Sequence, residues 1–147
     1  MISPEILRRY PFFAGISEDS LKRLAMIAEE KSVRANTTMF RDGDPADHLF
    51  VVVAGEVHIQ YLLGNDDLRT VDTLVEGDLL CWSALVEPYK VTAIGTTTKD
   101  TELVRIDAAK LRKLCEQDPL LGYRLSNQVA KLLAHRLESA RVQLAAV

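Results

Sequence analysis

At 147 residues, with 48% hydrophobic and 27% charged side chains, the chain has the length and composition of one ordinary globular domain, able to bury a core without disulfides or metals. Its formal charge of -3 excludes an overall basic nucleic-acid surface, and no apolar run reaches the roughly 18 residues of a membrane-spanning helix. The opening Met1-Ile2-Ser3-Pro4 lacks the basic-then-apolar order of an export signal, so a cytoplasmic location is expected, with Cys81 and Cys115 as reduced thiols too far apart for metal-ligand spacing.

Residues 3 to 31 have a helical pattern. Ser3 followed by Pro4 is an N-cap with a first-turn proline. Pro11 and Gly15 interrupt the pattern, and Ser17 caps a second helix whose Leu21, Leu24, Ala25, Ile27 and Ala28 recur on one apolar face. From Ser32 the period shortens. Strands are expected at Ser32 to Ala35, Thr38 to Phe40, Leu49 to Val53, Val57 to Tyr61, Arg69 to Leu74, Lys90 to Thr97 and Glu102 to Ile106. Turn chemistry separates several of them at Arg41 to Pro45, Ala54-Gly55-Glu56 and Gly64 to Asp67. So many short strands at close spacing predict a mainly β fold, a β-roll or jelly-roll barrel over residues 32–107, between N-terminal helices in 1–31 and helices in 108–147. No repeat or linker divides the chain, so a single domain is expected.

The C-terminal region holds a short helix, Ala108 to Glu116, and a long one opened by Pro119 and running to about Leu144. The long helix has two apolar stripes. Leu121, Leu125, Val129 and Leu132 form one; Ala130, Leu133, Leu137, Ala140 and Leu144 step as a heptad and form the other. With the first stripe packed on the barrel, the second would stand exposed unless paired. A homodimer through this helix is therefore expected.

Between the strand ending at Leu74 and the one opening at Lys90 lies the run Glu76 to Ala93, which joins a Gly77-Asp78 turn, the lone tryptophan Trp82, a break at Pro88 and Lys90. This run, the preceding Gly43-Asp44-Pro45-Ala46-Asp47-His48-Leu49-Phe50-Val51-Val52-Val53-Ala54-Gly55-Glu56-Val57, and the amphipathic last helix together resemble the cyclic-nucleotide-binding domain family, the effector domain of catabolite-activator-type regulators. The resemblance covers nearly the whole chain and implies a non-enzymatic regulatory module with a small anionic ligand, in which Glu76 to Ala93 is the phosphate-binding cassette. A cyclic phosphate is met there by backbone N–H groups at the start of a short helix and by a guanidinium fork.

Carried onto this sequence, the ligand positions are Gly77, Asp78, Leu80, Cys81, Trp82, Ser83, Ala84, Lys90, Val91 and Thr92. Gly77, Asp78 and Ala84 keep the family pattern. Cys81 and Trp82 stand where the family has a glycine and a ribose-binding glutamate, and Lys90 replaces the phosphate-binding arginine. Lysine meets a phosphate as a point charge without the bidentate fork, and an indole cannot accept from a sugar hydroxyl. Trp82 is therefore either a stacking surface for a planar ligand or a plug filling the pocket, which would make the chain a ligand-free dimerisation scaffold. Cys81 is either a small buried residue or a redox-sensitive thiol. His48, His58 and His135 fall on a turn, a strand and the last helix and form no metal-ligand cluster, so neither a metal nor any other resident cofactor is expected. No nucleophile and base pair suggests catalysis. No helix-turn-helix follows Val147, so DNA is not an expected partner.

Overall fold

Capping chemistry starts the helices where the sequence places it, as seen in a computed structural model describing residues 1–147. Ser3 Oγ accepts from the Glu5 N–H and Pro4 opens α1, Pro4–Arg8; Ser17 Oγ accepts from the Ser20 N–H at the start of α2, Glu18–Met26. Between them Pro11–Phe13 form a 3₁₀ turn that buries Phe12 and Phe13 edge to face.

Eight strands follow: β1 Ala28–Val33, β2 Thr38–Phe40, β3 His48–Ala54, β4 Val57–Leu62, β5 Leu68–Leu74, β6 Leu79–Leu80, β7 Ile94–Thr97 and β8 Thr101–Asp107. They make two antiparallel four-stranded sheets, ordered β1-β8-β3-β6 and β2-β7-β4-β5, the jelly-roll arrangement expected from the strand spacing. Side chains from both faces of the first sheet, among them Leu49, Val51 and Ile106 on one face and Leu103 on the other, join Val57 of the second sheet in one buried core. β3 lies between β8 and β6, which is why Val51 and Val52 can both be buried. Gly95 on β7 is required by close packing: a Cβ there would overlap the Phe40 ring.

Three boundaries differ from the sequence expectation. The N-terminal helical region ends at Met26 instead of residue 31, and Ala28 belongs to β1 and not to the apolar face of α2. β1 pairs only with β8 and is solvated through Glu29 to Ser32, so it lacks the alternation that marks a half-buried strand. The strand expected from Lys90 begins only at Ile94; Lys90 itself makes an isolated bridge to Pro45. The short helix in the Glu76 to Ala93 run is a three-residue 3₁₀ turn, Trp82–Ala84.

The C-terminal helices are α3, Ala108–Gln117, and α4, Pro119–Ala145. Asp118 joins three elements. Its carboxylate accepts from the Leu121 N–H at the start of α4, from the Ser20 hydroxyl at 2.6 Å, and from Arg23 at 2.7 Å, the last two on α2. The first stripe of α4 packs inward, with Leu121, Leu125 and Val129 buried and Leu132 half-buried. Farther along, the helix leaves the core and crosses the open side of the β2-β7-β4-β5 sheet, where it reaches the site described next. No helix is long and apolar enough to cross a membrane.

Candidate functional site

The run Glu76 to Ala93 is fastened at both ends, and between them β6 pairs with β3. At its start Gly77, at φ +88°, donates its N–H to the Val52 carbonyl at 2.8 Å, and the Val52 N–H returns to the Asp78 carbonyl at 3.0 Å. The Asp78 carboxylate closes the turn by accepting from the Val75 N–H at 2.9 Å. At its end the backbone of Tyr89 to Val91 is clipped to the Gly43 to Ala46 turn by three hydrogen bonds: Gly43 N–H to the Val91 carbonyl, Ala46 N–H to the Tyr89 carbonyl, and Val91 N–H to the Asp44 carbonyl. The 3₁₀ turn is tied to α3 as well. Arg112 donates to the Ala84 carbonyl at 2.9 Å and lies 4.2 Å above the Tyr89 ring centroid.

The middle of the run walls a cavity of about 620 Å³ between the β2-β7-β4-β5 sheet and α4. Leu80, Cys81, Trp82, Ser83, Val91 and Thr92 line it; Gly77, Asp78, Ala84 and Lys90 do not. The first two of these hold the turn that carries the wall, and Ala84 is buried behind it. Lys90 is exposed. Trp82 is half-buried and forms part of the wall of an open cavity, which weighs against the reading in which it plugs the pocket. The volume falls within the range of small-molecule sites.

Cys81 occupies the left-handed region, at φ 62° and ψ 49°, a conformation that glycine adopts without cost and other residues do not. Burial pushes its thiol up to about 12, so at neutral pH it is protonated and not the thiolate that a redox sensor needs. Cys115 is likewise shifted up, first by burial and then by Asp118. Cys81, Phe40 and Val91 form a partition: the three also line a second, smaller hollow of about 220 Å³ beside Pro45 to His48.

Sequence reasoning missed the far wall. From β4 and β5 come Ile59, Tyr61, Val71, Asp72 and Leu74, and from α4 come Leu133, Arg136, Ala140, Gln143 and Leu144. Arg136 Nη2 donates to the Leu79 carbonyl at 3.2 Å, and its Nε stands 3.7 Å from Asp72 Oδ2. The expected dimer stripe is thus divided. Leu133, Ala140 and Leu144 border the cavity, whereas Ala130 and Leu137 do not. The sequence puts Arg136 on one helical face with Leu133, three before it, and Ala140, four after it, but carries no sign of which sheet that face crosses. No three His, Cys, Asp or Glu residues gather in metal-ligating geometry.

Comparison with known proteins gives this geometry a lineage. The pattern of the cyclic nucleotide-binding domain matches residues 30–118. A crystal structure of a candidate cyclic nucleotide-binding protein from Geobacter metallireducens superposes with a TM-score of 0.85 and 37% identity, covering 93% of this chain and 99% of that one. Among curated relatives, a "CRP-like cAMP-activated global transcriptional regulator" of Mycobacterium tuberculosis is 26% identical over 96% of this chain. Glutaminase 1 of Bradyrhizobium diazoefficiens is 29% identical over 94%. The chain spans 61% of the length of the former and 22% of the latter.

Proposed function

The chain belongs to the cyclic nucleotide-binding domain family, and on that footing we propose that it is a non-enzymatic sensor module whose ligand is a small anion, held in the cavity between the Glu76 to Ala93 run and α4. The observation that carries the reading is the cavity itself: about 620 Å³, bounded on one side by the cassette residues Leu80 to Ser83, Val91 and Thr92, and on the other by the distal half of α4. A ligand seated there touches both the fixed roll and the helix that crosses it. Its differential affinity for two positions of α4 is what would convert occupancy into a signal. The Arg112 contacts to Ala84 and Tyr89 give the cassette a second mechanical link, through α3, to the base of α4.

The cyclic nucleotide version follows from the relatives, one of which is cAMP-activated. Calorimetric titration of the purified protein with cyclic AMP and cyclic GMP tests it. Heat that saturates at one site supports a nucleotide sensor; silence from both removes the nucleotides and leaves the anion reading to be tested with other ligands. The exposed apolar residues of distal α4, among them Leu137 and Leu144, support a homodimer through this helix, in which ligand occupancy and subunit pairing share one element.

A further inference from the structure

Fifteen of the twenty residues lining the cavity are hydrophobic, and its charged lining is a single pair, Arg136 on α4 and Asp72 on β5. The pair is loose. The 3.7 Å between Arg136 Nε and Asp72 Oδ2 exceeds hydrogen-bonding distance, and the one hydrogen bond Arg136 makes is to the Leu79 carbonyl. A guanidinium has five N–H donors in a planar fork, so most of its capacity is uncommitted where it borders the cavity. Ser83 adds a second polar group to the wall. It is 3% exposed and lines the cavity, and its hydroxyl makes no hydrogen bond within the protein. Because no side-chain polar atom is sealed away without a partner, that hydroxyl remains within reach of solvent and is free to bond.

We propose that Arg136, and not Lys90, recognises the ligand's charge, and that the ligand is a hydrophobic monoanion: an aromatic or aliphatic body filling the apolar cavity, with one acidic group that takes the place of Asp72 on the Arg136 fork. The inference rests on the cavity being the sensor's ligand site. It follows from what the wall offers. A bare ribose and purine edge would bury several polar groups against Phe40, Ile59, Leu74 and Val91, which give them nothing to bond. A single acidic group finds one bidentate cation in Arg136, and Ser83 offers a hydroxyl elsewhere on the same wall. Because Arg136 belongs to α4, the anion engages the moving helix directly, and Asp72 is the anion it displaces.

The test uses the full chain with two fluorescent probes of like shape, the anionic 8-anilinonaphthalene-1-sulfonate and the neutral N-phenyl-1-naphthylamine, with quenching of Trp82, the sole tryptophan, locating each probe. Decanoate serves as an aliphatic competitor. Both probes should bind, and decanoate should displace the sulfonate. Arg136→Met should weaken the sulfonate by about tenfold or more and leave the neutral probe within about twofold, the difference expected for loss of one charge-assisted contact. Asp72→Asn should act in the opposite direction and tighten the sulfonate about threefold, because the competing carboxylate is gone. Lys90→Met should change neither. Circular dichroism and thermal melts check that each variant is folded. If Arg136→Met leaves sulfonate binding unchanged while the neutral probe still binds, the assignment of Arg136 is wrong and the cavity reading stands. Binding of a cyclic nucleotide that depends on Lys90 and ignores Arg136 likewise overturns the inference but keeps the sensor. If neither probe, decanoate nor a cyclic nucleotide binds, the sensor reading fails with it.

Discussion

Cys81 concentrates the tension of the site in one residue. Its left-handed backbone suits the glycine found there in the family, yet the chain places a side chain at the position and uses it as wall. A β-branched residue tolerates this conformation least. Cys81→Val should therefore destabilise the fold by about 1–2 kcal/mol, while Cys81→Ser, with similar shape and no branch, should cost less than the valine variant. Urea denaturation of the three proteins would measure this, and an equal or greater stability for the valine variant would refute the strain. Position alone led to the run that walls the cavity: Leu80 to Ser83 line it, whereas Gly77 and Asp78 hold the turn before it and Ala84 lies behind it. Arg136 was not legible in this way, because a lone arginine in a long amphipathic helix has the appearance of a solvated residue until the fold shows which sheet that face crosses. Lys90 illustrates the converse. Its place in the sequence suggests an inward ligand contact, but the bridge to Pro45 and the absence of a regular strand before Ile94 leave it exposed.

Among the elements, α4 depends on its first residue boundary. Asp118 caps it and also receives the Ser20 hydroxyl, the Leu121 N–H and Arg23; these contacts, the Ser20 hydroxyl foremost, hold its carboxyl below the ordinary carboxylate range. Asp118→Ala should cost about 1–2 kcal/mol at neutral pH through loss of the cap and its α2 links. The sign of the pH effect follows from the depressed value. The stabilisation is complete above the unfolded carboxylate range and is lost as pH falls through the depressed folded value, so wild type and variant should begin to converge only as pH drops below about 4. Parallel stability curves down to pH 2 would show that the carboxylate contributes nothing. Helix starts of this sort are legible because capping is local: Ser3, Ser17 and Pro119 were each read correctly from a few neighbouring residues. β1 was not, because its identity is non-local. Glu29, Glu30 and Lys31 become a strand by pairing with Leu103 to Arg105, seventy residues and more away, and nothing in their own pattern announces it.

At the scale of the whole molecule, the β-roll and α4 wall the cavity from opposite sides, and the proposed function gives the same helix two tasks, closing the cavity and meeting a second copy. Leu137, 52% exposed and outside the cavity lining, separates the two tasks. Native mass spectrometry should find a dimer, and Leu137→Glu should shift it toward monomer while leaving binding of the anionic probe intact, since a buried charge is costly at a helix pairing seam. A wild-type protein that stays monomeric across the concentration series would remove the dimer. The overall jelly roll was legible because strand spacing and turn residues recur along the chain, whereas the cavity was not, being a property of the space left between elements that the sequence orders but does not measure. That space has one divider. Phe40, Cys81 and Val91 separate the main cavity from the smaller hollow beside Pro45 to His48, and they do so from three different segments of the chain. A smaller side chain at any one of the three would merge the two spaces into a single longer chamber, so the shape of what fits is set at the partition and not at the fastened ends of the run.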